Sequence, residues 1–254
     1  MPKIISIANR KGGIGKTTCS INISNELVQM GYLVLMIDLD AQCDLSKIFL
    51  KRKNTDQGDI FKLFKGECSI QDAIYNIKDN LYISPGNNNL IHLQEKDIIN
   101  PLVKVLNEDF FNEVDYIIID HPPNINEGAL QGFNASDEVL IVIEPEAFCI
   151  ENINQLLDDL YHIQFTDNPN LHILGIVLNR IDMRRNLTKH MIDKIESSFN
   201  SHILKSRISN NTSIPLSLND KVAVRDLKWW SKPVGEFKDL VNEIIERMKD
   251  NEHE

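Results

Sequence analysis

Three short stretches of this chain gather residue types that can handle phosphate. The first is Asn9-Arg10-Lys11-Gly12-Gly13-Ile14-Gly15-Lys16-Thr17-Thr18. Its glycines let the backbone turn back so that successive N–H groups converge on an anion, and a helix beginning there adds its dipole at the same point. Lys16 is placed to reach β- and γ-phosphates, and the Thr17 hydroxyl to ligate Mg²⁺. The general pattern G-x-x-x-x-G-K-[ST] is not met, because Arg10 holds its first glycine position; a second lysine, Lys11, stands directly before the Gly-Gly pair. The second stretch, Met36-Ile37-Asp38-Leu39-Asp40-Ala41-Gln42, ends an apolar run in two carboxylates. Asp40 is the candidate for positioning an attacking water and a further candidate near Mg²⁺. Asp38 is as well suited to holding the phosphate loop by hydrogen bonds as to joining the chemistry. The third stretch, Asp115-Tyr116-Ile117-Ile118-Ile119-Asp120-His121-Pro122-Pro123, ends an apolar run in Asp120, which is suited to holding Mg²⁺ through a water. His121 is read as a turn residue rather than a base.

Such residues need a scaffold that carries each of them at the end of a strand. Short β-branched runs alternate with longer amphipathic stretches, the pattern of a parallel sheet covered by helices on both faces. Strands are predicted over 3–8, 32–38, 81–84, 116–120, 138–144, 171–178 and 203–208, and helices over 17–30, 151–164 and 188–199. The expected fold is α/β, a doubly wound, mostly parallel sheet, with residues 1–254 as one domain. Carboxylates at the carboxyl ends of such strands lie where these sheets bind ligands. Residues 51–80 are the least regular, with Ser69-x-x-Asp72 offering a helix start and Gly58 and Gly66 as breaks.

Composition narrows the class. The 254 residues are 42% apolar, with 27 Lys+Arg against 37 Asp+Glu, which excludes disorder as the main theme and supplies a core that needs no disulfide or structural metal. Apolar runs stay far below the ~20 residues of a membrane helix, and the start of the chain carries no leader-like pattern, so a cytoplasmic protein is expected. Cys19, Cys43, Cys68 and Cys149 form no C-x-x-C pair and are read as reduced, small apolar residues. The net charge of -10 conceals an uneven distribution: residues 101–170 hold one basic and 14 acidic residues, whereas 180–232 hold 11 basic and 5 acidic. The total therefore hides a basic region that could meet an anionic partner.

The loop variant K-G-G-x-G-K-T-[ST] at the end of a first strand resembles that of the deviant-Walker ATPases, the ParA/MinD group of P-loop proteins. In that group the lysine at the position of Lys11 crosses a dimer interface to the partner's ATP phosphates, so the resemblance implies an ATP-dependent homodimer with ATP/ADP and Mg²⁺ as cofactors. The stretch Asp38–Gln42 is similar to the group's D-x-D-x-Q element, and 115–120 to its Walker B strand. Val177-Leu178-Asn179-Arg180 resembles the adenine-contacting element of the MinD-like branch; Asn179 could read the adenine edge, or equally cap the next turn. On this resemblance nucleotide contacts fall on Lys11, Gly12, Gly13, Ile14, Gly15, Lys16, Thr17, Thr18 and Asn179, catalysis on Lys11, Lys16 and Asp40, and Mg²⁺ on Thr17, Asp40 and Asp120.

Within the group the ParA branch fits best. The last amphipathic stretch carries Val234, Phe237, Leu240, Val241, Ile244, Ile245 and Met248 on one side and Glu236, Asp239, Glu243 and Glu246 on the other, so docking on the core is expected rather than binding to an anionic membrane. ParA proteins hold DNA without sequence preference through basic residues of the C-terminal third, which needs only phosphate contacts. Asp182-Met183-Arg184-Arg185 matches the group's acidic-x-Arg turn, which makes Arg184 and Arg185 the leading DNA contacts. An I-P-R-N-V-R-L-like element aligns with 208–214 but lacks both arginines; Lys205, Arg207, Lys221, Arg225 and Lys228 are the candidates to compensate. The N-terminal helix-turn-helix of longer ParA proteins is not expected, so specific DNA recognition would come from a centromere-binding ParB-type partner. The expectation is a partition ATPase, cytoplasmic and nucleoid-associated. The rivals are a positioning ATPase for a protein cargo and a metabolic ATP-dependent enzyme on the same scaffold.

Overall fold

The computed structural model describes residues 1–50 and 58–251; the stretch 51–57, which opens the segment expected to be irregular, lies outside the described residues. The chain runs β1 (Lys3–Ala8), α1 (Lys16–Gln29), β2 (Val34–Asp38), α2 (Asp44–Phe49), α3 (Ile60–Phe64), β3 (Tyr75–Lys78), β4 (Leu81–Ser84), α4 (Leu102–Leu106), β5 (Tyr116–Asp120), α5 (Glu127–Ala135), β6 (Glu138–Ile143), α6 (Cys149–Thr166), β7 (His172–Ile181), α7 (Asn186–Phe199), β8 (Ile203–Ser209), α8 (Ser213–Asn219), α9 (Val224–Lys228) and α10 (Lys232–Asn251), with short 3₁₀ turns between. Among the described residues eight strands form one sheet in the order β3-β4-β2-β5-β1-β6-β7-β8, parallel throughout except for the antiparallel pair β3 and β4.

The central strands β1, β2, β5 and β6 are buried over almost their whole length. Their uninterrupted apolar runs reflect helices on both faces, where an alternating pattern would have put polar groups in the core. On one face α1 and α10 pack on the sheet through Ile23, Leu27, Phe237, Leu240, Val241 and Ile244. On the other, α5, α6 and α7 bring Phe133, Ile153, Leu156, Leu160, Ile192 and Ile195 against β6 and β7, and α3 and α4 cover β2 and β5. The apolar side of α10 is thus buried in the core, as its pattern implies.

All seven predicted strands are present, with boundaries shifted by a few residues. The strand expected to stop at 178 continues to Ile181 and so carries Asn179 and Arg180. The eighth strand, β3, has little sequence signal because its Tyr75–Lys78 is only half-buried at the sheet edge. It turns into β4 through Asp79-Asn80, with Asn80 in the left-handed region at φ 61°, a conformation asparagine tolerates. Helix α5 is a further element beyond those expected; Asn126 caps it by accepting from the Ala129 N–H at 3.0 Å. The Ser69/Asp72 pair does form a reciprocal cap, with Ser69 Oγ donating to Asp72 Oδ2 at 2.6 Å, but it opens only the single turn Gln71–Ala73.

Candidate nucleotide site

The carboxyl ends of β1, β2 and β5 bring the three stretches together. Parallel pairing sets Asp38 level with Asp120 and Ile7 level with Asp120, so the loop after β1 and both acidic strand ends share one edge of the sheet. The loop bends back at Gly13 and Gly15, both in the left-handed region at φ 77° and 96°. It leads into α1 without a side-chain cap, which leaves the first N–H groups of that helix directed at the cleft.

Two amides hold the loop. Asn9 accepts from the Lys11 N–H at 2.8 Å and donates to the Val142 carbonyl at 2.6 Å, tying the loop to β6. Asn179 donates to the Ile14 carbonyl at 2.7 Å and is 2% exposed. A Cβ on Gly15 would stand 2.4 Å from Asn179 Nδ2, so glycine there follows from the amide packed against the loop. The sequence offered adenine reading or turn capping for Asn179; in this structure its NH₂ group is spent on the loop backbone.

Lys16 is 6% exposed and its Nζ donates to the Lys11 carbonyl at 3.2 Å. Burial pushes its pKa down, against the pull of Asp120 and Asp40. An ammonium held in this way gains from a phosphate arriving beside it. The Thr17 hydroxyl donates to Asp120 Oδ2 at 2.7 Å, and Ser20 Oγ lies 3.0 Å from Asp120 Oδ1. Burial raises the Asp120 pKa to about 6, although the Thr17 hydrogen bond and Lys16 oppose the rise. A desolvated carboxylate touching a threonine hydroxyl is a donor pair suited to Mg²⁺. That ion characteristically takes one or two protein oxygens and fills the remaining positions with phosphate oxygens and water.

Asp40 lies half-exposed on the cleft wall, accepting from the Gln42 N–H at 2.9 Å. Asp38 is fully buried and does not hold the phosphate loop. It accepts from the Ser46 N–H at 2.9 Å, from Ser46 Oγ at 2.5 Å and from the Asp40 N–H at 3.1 Å, so it fixes the start of α2 and aims Asp40. Burial and the neighbouring Asp120 raise its pKa to about 7. His121 is buried and stacked on Phe133 with centroids 4.1 Å apart, and its Nε2 lies 2.7 Å from Ser6 Oγ. Burial drives its pKa down to about 3, in keeping with a turn residue rather than a base.

The cleft encloses about 510 Å³ and runs from Gly12, Gly13 and Thr18 past Asp40 and Pro123 to Arg180, Leu218 and Lys221. Its far end has no local sequence signal, because Leu218 comes from the last turn of α8 and Lys221 from the turn after it, remote in sequence. Lys11 Nζ is paired with the Glu146 carboxylate, and Arg180 with Glu144 at 3.5 Å.

The basic candidates fall into three separate groups. Arg184 and Arg185 are exposed in the turn before α7, with Arg184 forked onto Asp182 at 2.8 Å through both nitrogens. Lys205 is exposed on β8, whereas Arg207 beside it is paired with Glu196 of α7. In the third group Lys228 ends α9, but Lys221 turns to the Lys47 carbonyl at 3.1 Å on the cleft rim. Arg225 forks onto Glu26 of α1 at 2.7 and 2.5 Å. Like Arg184, the side chains of Arg207, Lys221 and Arg225 are thus each engaged within the chain, Arg225 with a carboxylate whose side chain is only 4% exposed.

A protein-family profile described as an AAA domain matches residues 2–173. The sporulation initiation inhibitor protein Soj of Bacillus subtilis is 30% identical over 84% of this chain and 87% of its own length. The chromosome partitioning protein ParA of Caulobacter vibrioides is 26% identical over 98% and 96%. Among solved structures, the cell division ATPase MinD of Pyrococcus furiosus superposes with a TM-score of 0.77 at 28% identity, covering 97% of this chain and 99% of that one. Cobyrinic acid a,c-diamide synthase of Mycobacterium smegmatis, bound to ADP and magnesium, superposes with a TM-score of 0.82 at 20% identity, covering 98% and 96%. That last likeness is one of fold. With the profile matched over most of the chain and Soj at this identity, the chain belongs to the ParA/MinD-type P-loop ATPases.

Proposed function

We propose that this chain is a partition ATPase of the ParA type, with residues 1–254 forming one α/β domain that uses ATP and Mg²⁺ as a switch for holding DNA. The observation that carries the nucleotide part is the Lys16, Thr17, Asp120 and Asp40 constellation at one sheet edge, opening into a cleft of about 510 Å³. Lys16 and the α1 N-terminus bind and orient the phosphates, and Thr17 with Asp120, backed by Asp40, are the residues that would hold Mg²⁺. When bound, that ion supplies neutralisation of the phosphate charge. Asp40, aimed by Asp38, orients the attacking water. Lys11 is half-exposed on the loop, which suits a lysine that reaches a second protomer's nucleotide in an ATP-dependent homodimer.

In this reading the dimer binds non-specific DNA through Arg184, Arg185, Lys205 and Lys228, and the protein is cytoplasmic and nucleoid-associated. A ParB-type centromere-binding protein stimulates hydrolysis, which opens the dimer and releases the DNA. Among the described residues no helix is long and apolar enough to cross a membrane. The engagement of Arg207, Lys221 and Arg225 within the chain favours a second reading, a ParA-like ATPase that positions a protein cargo.

Binding of a random-sequence DNA duplex with ATP, ADP or no nucleotide, at two salt concentrations, separates the two. The two tryptophans of the chain, Trp229 and Trp230, follow Lys228 directly and are 69% and 68% exposed, so their fluorescence reports DNA arriving at that group. ATP-dependent binding that falls steeply with salt is expected. Dimerisation with ATP but no DNA binding in any state would discard the partition reading in favour of a protein cargo.

A further inference from the structure

One short segment pairs with two half-exposed cations beside the phosphate loop, Lys11 and Arg180, while a third, Arg10, pairs with Asp159 of α6. Glu144, Pro145 and Glu146 follow β6 directly, with Pro145 buried. Glu144 pairs with Arg180 at 3.5 Å, and Glu146 with Lys11. Arg180 lines the nucleotide cleft and sits in the left-handed region at φ 54°. Two residues beyond Glu146, Phe148 has a φ of 66° and is 73% exposed. An aromatic residue adopts that conformation only where its surroundings impose it. Asn9 ties the phosphate loop to Val142 on the same strand, so the two acids and the two cations are held in a common register.

We infer that Glu144 and Glu146 are positioning residues that clasp Arg180 and Lys11 in the free protomer and set the threshold for the nucleotide-dependent switch. The inference rests on the proposed reading in which Lys11 leaves its own chain for a partner's nucleotide. Both pairs are partly exposed, at 42% and 39% for Lys11 and Glu146 and 46% and 28% for Arg180 and Glu144, so each is weak enough to be exchanged. A polyphosphate carries more charge than one carboxylate and displaces it from the ammonium. The clasp therefore yields to ATP phosphates and not to a casual anion. Arg180, released from Glu144, turns to the nucleotide in its own cleft.

An exposed pair of this kind is equivalent to roughly a two- to five-fold change in an equilibrium. Closing a symmetric dimer breaks the Lys11–Glu146 pair in both copies, so the effect is squared, to roughly four- to 25-fold. The test is sedimentation of the full chain across a concentration series with ATPγS and Mg²⁺, for wild type, Glu146→Gln, Lys11→Ala and the double variant. Glu146→Gln is expected to lower the dimer midpoint by that factor, and to have no effect once Lys11 is alanine. A merely structural role would move both backgrounds alike. Glu144→Gln is expected to tighten ADP binding by the monomer about two- to five-fold, read by calorimetry. An unchanged or raised midpoint in Glu146→Gln, or the same shift without Lys11, overturns the clasp on Lys11; unchanged or weaker ADP binding in Glu144→Gln overturns the clasp on Arg180. A wild-type chain that binds ATPγS yet stays monomeric at every concentration fails the dimer reading itself, and the Lys11 clasp with it.

Discussion

Lys16, Asp40 and Asn179 make different demands on the nucleotide site. Lys16 is buried, and its Nζ donates to a loop carbonyl, that of Lys11. Replacing it with alanine removes the charge that a phosphate would meet, and ATP affinity is expected to fall by about 100-fold or more, measured by calorimetry. Asp40 lies on the cleft wall and neither holds the loop nor fills the core. Asp40→Ala is therefore expected to retain ATP binding and ATP-dependent dimerisation while losing hydrolysis in a phosphate-release assay; a normal turnover rate would remove Asp40 from the chemistry. Asn179 holds the Ile14 carbonyl, so Asn179→Ala should loosen the loop without removing a charge. A loss of about tenfold in ATP affinity is expected, corresponding to one buried hydrogen bond.

At the scale of elements, two sets of carboxylate contacts explain charges that otherwise look like surface decoration. Strand β8 is the last in the sheet, and its unpaired N–H groups are met by acids of α10. Lys205 N and Ser206 N donate to Glu243 at 2.7 and 2.8 Å, and Ser209 N donates to Glu236 at 2.9 Å. An edge covered in this way cannot template pairing with another chain. Burial raises the Glu243 pKa, but the N–H bonds of Lys205 and Ser206 together with Arg247 outweigh it, and the net value lies below the usual carboxylate range. A carboxyl depressed in the folded state adds stability above its unfolded pKa of about 4.5, and that stability is lost as pH falls through the folded value. Glu243→Gln is thus expected to lower Tm at pH 7, with the gap to wild type closing towards pH 3. The second contact is the Arg225 fork onto Glu26, which joins α9 to α1. Arg225→Ala leaves Glu26 buried without its partner, and a loss of about 2–3 kcal/mol in chemical denaturation is expected, a stability change rather than a pure DNA-binding defect.

For the whole molecule, the uneven charge noted along the chain becomes a spatial question. The acids of residues 101–170 include Asp120 in the site and Glu144 and Glu146 on its rim, each neighbouring a cation or a hydroxyl donor. The basic residues of 180–232 divide between those largely covered by the chain and those facing solvent, chiefly Arg185 and Arg184, whose fork onto Asp182 still leaves its side chain 89% exposed. Arg184→Glu with Arg185→Glu is expected to leave ATP-dependent dimerisation intact and weaken duplex binding at least about tenfold, with a salt slope shallower by about two, one for each DNA phosphate no longer neutralised. Unchanged duplex binding measured by fluorescence anisotropy would move the DNA face elsewhere.

The phosphate loop, the two acidic strand ends and the α/β class are legible in the chain before it folds. Each is written in neighbouring residues: glycines that permit left-handed backbone at 13 and 15, a lysine and a threonine on the next helix, and apolar runs ending in Asp38, Asp40 and Asp120. The docking of the last helix on the core is legible too, because one side of α10 is continuously apolar. Which polar groups meet across long separations is settled by folding alone. Asn179 lies 165 residues from Ile14, Arg225 lies 199 from Glu26, and Glu146 lies 135 from Lys11. No local pattern distinguishes an arginine destined for a buried glutamate from one left in water, since both obey the same propensities. The partner is chosen by the order in which eight strands assemble, and that order brings α9 against α1 and the end of β6 beside the phosphate loop.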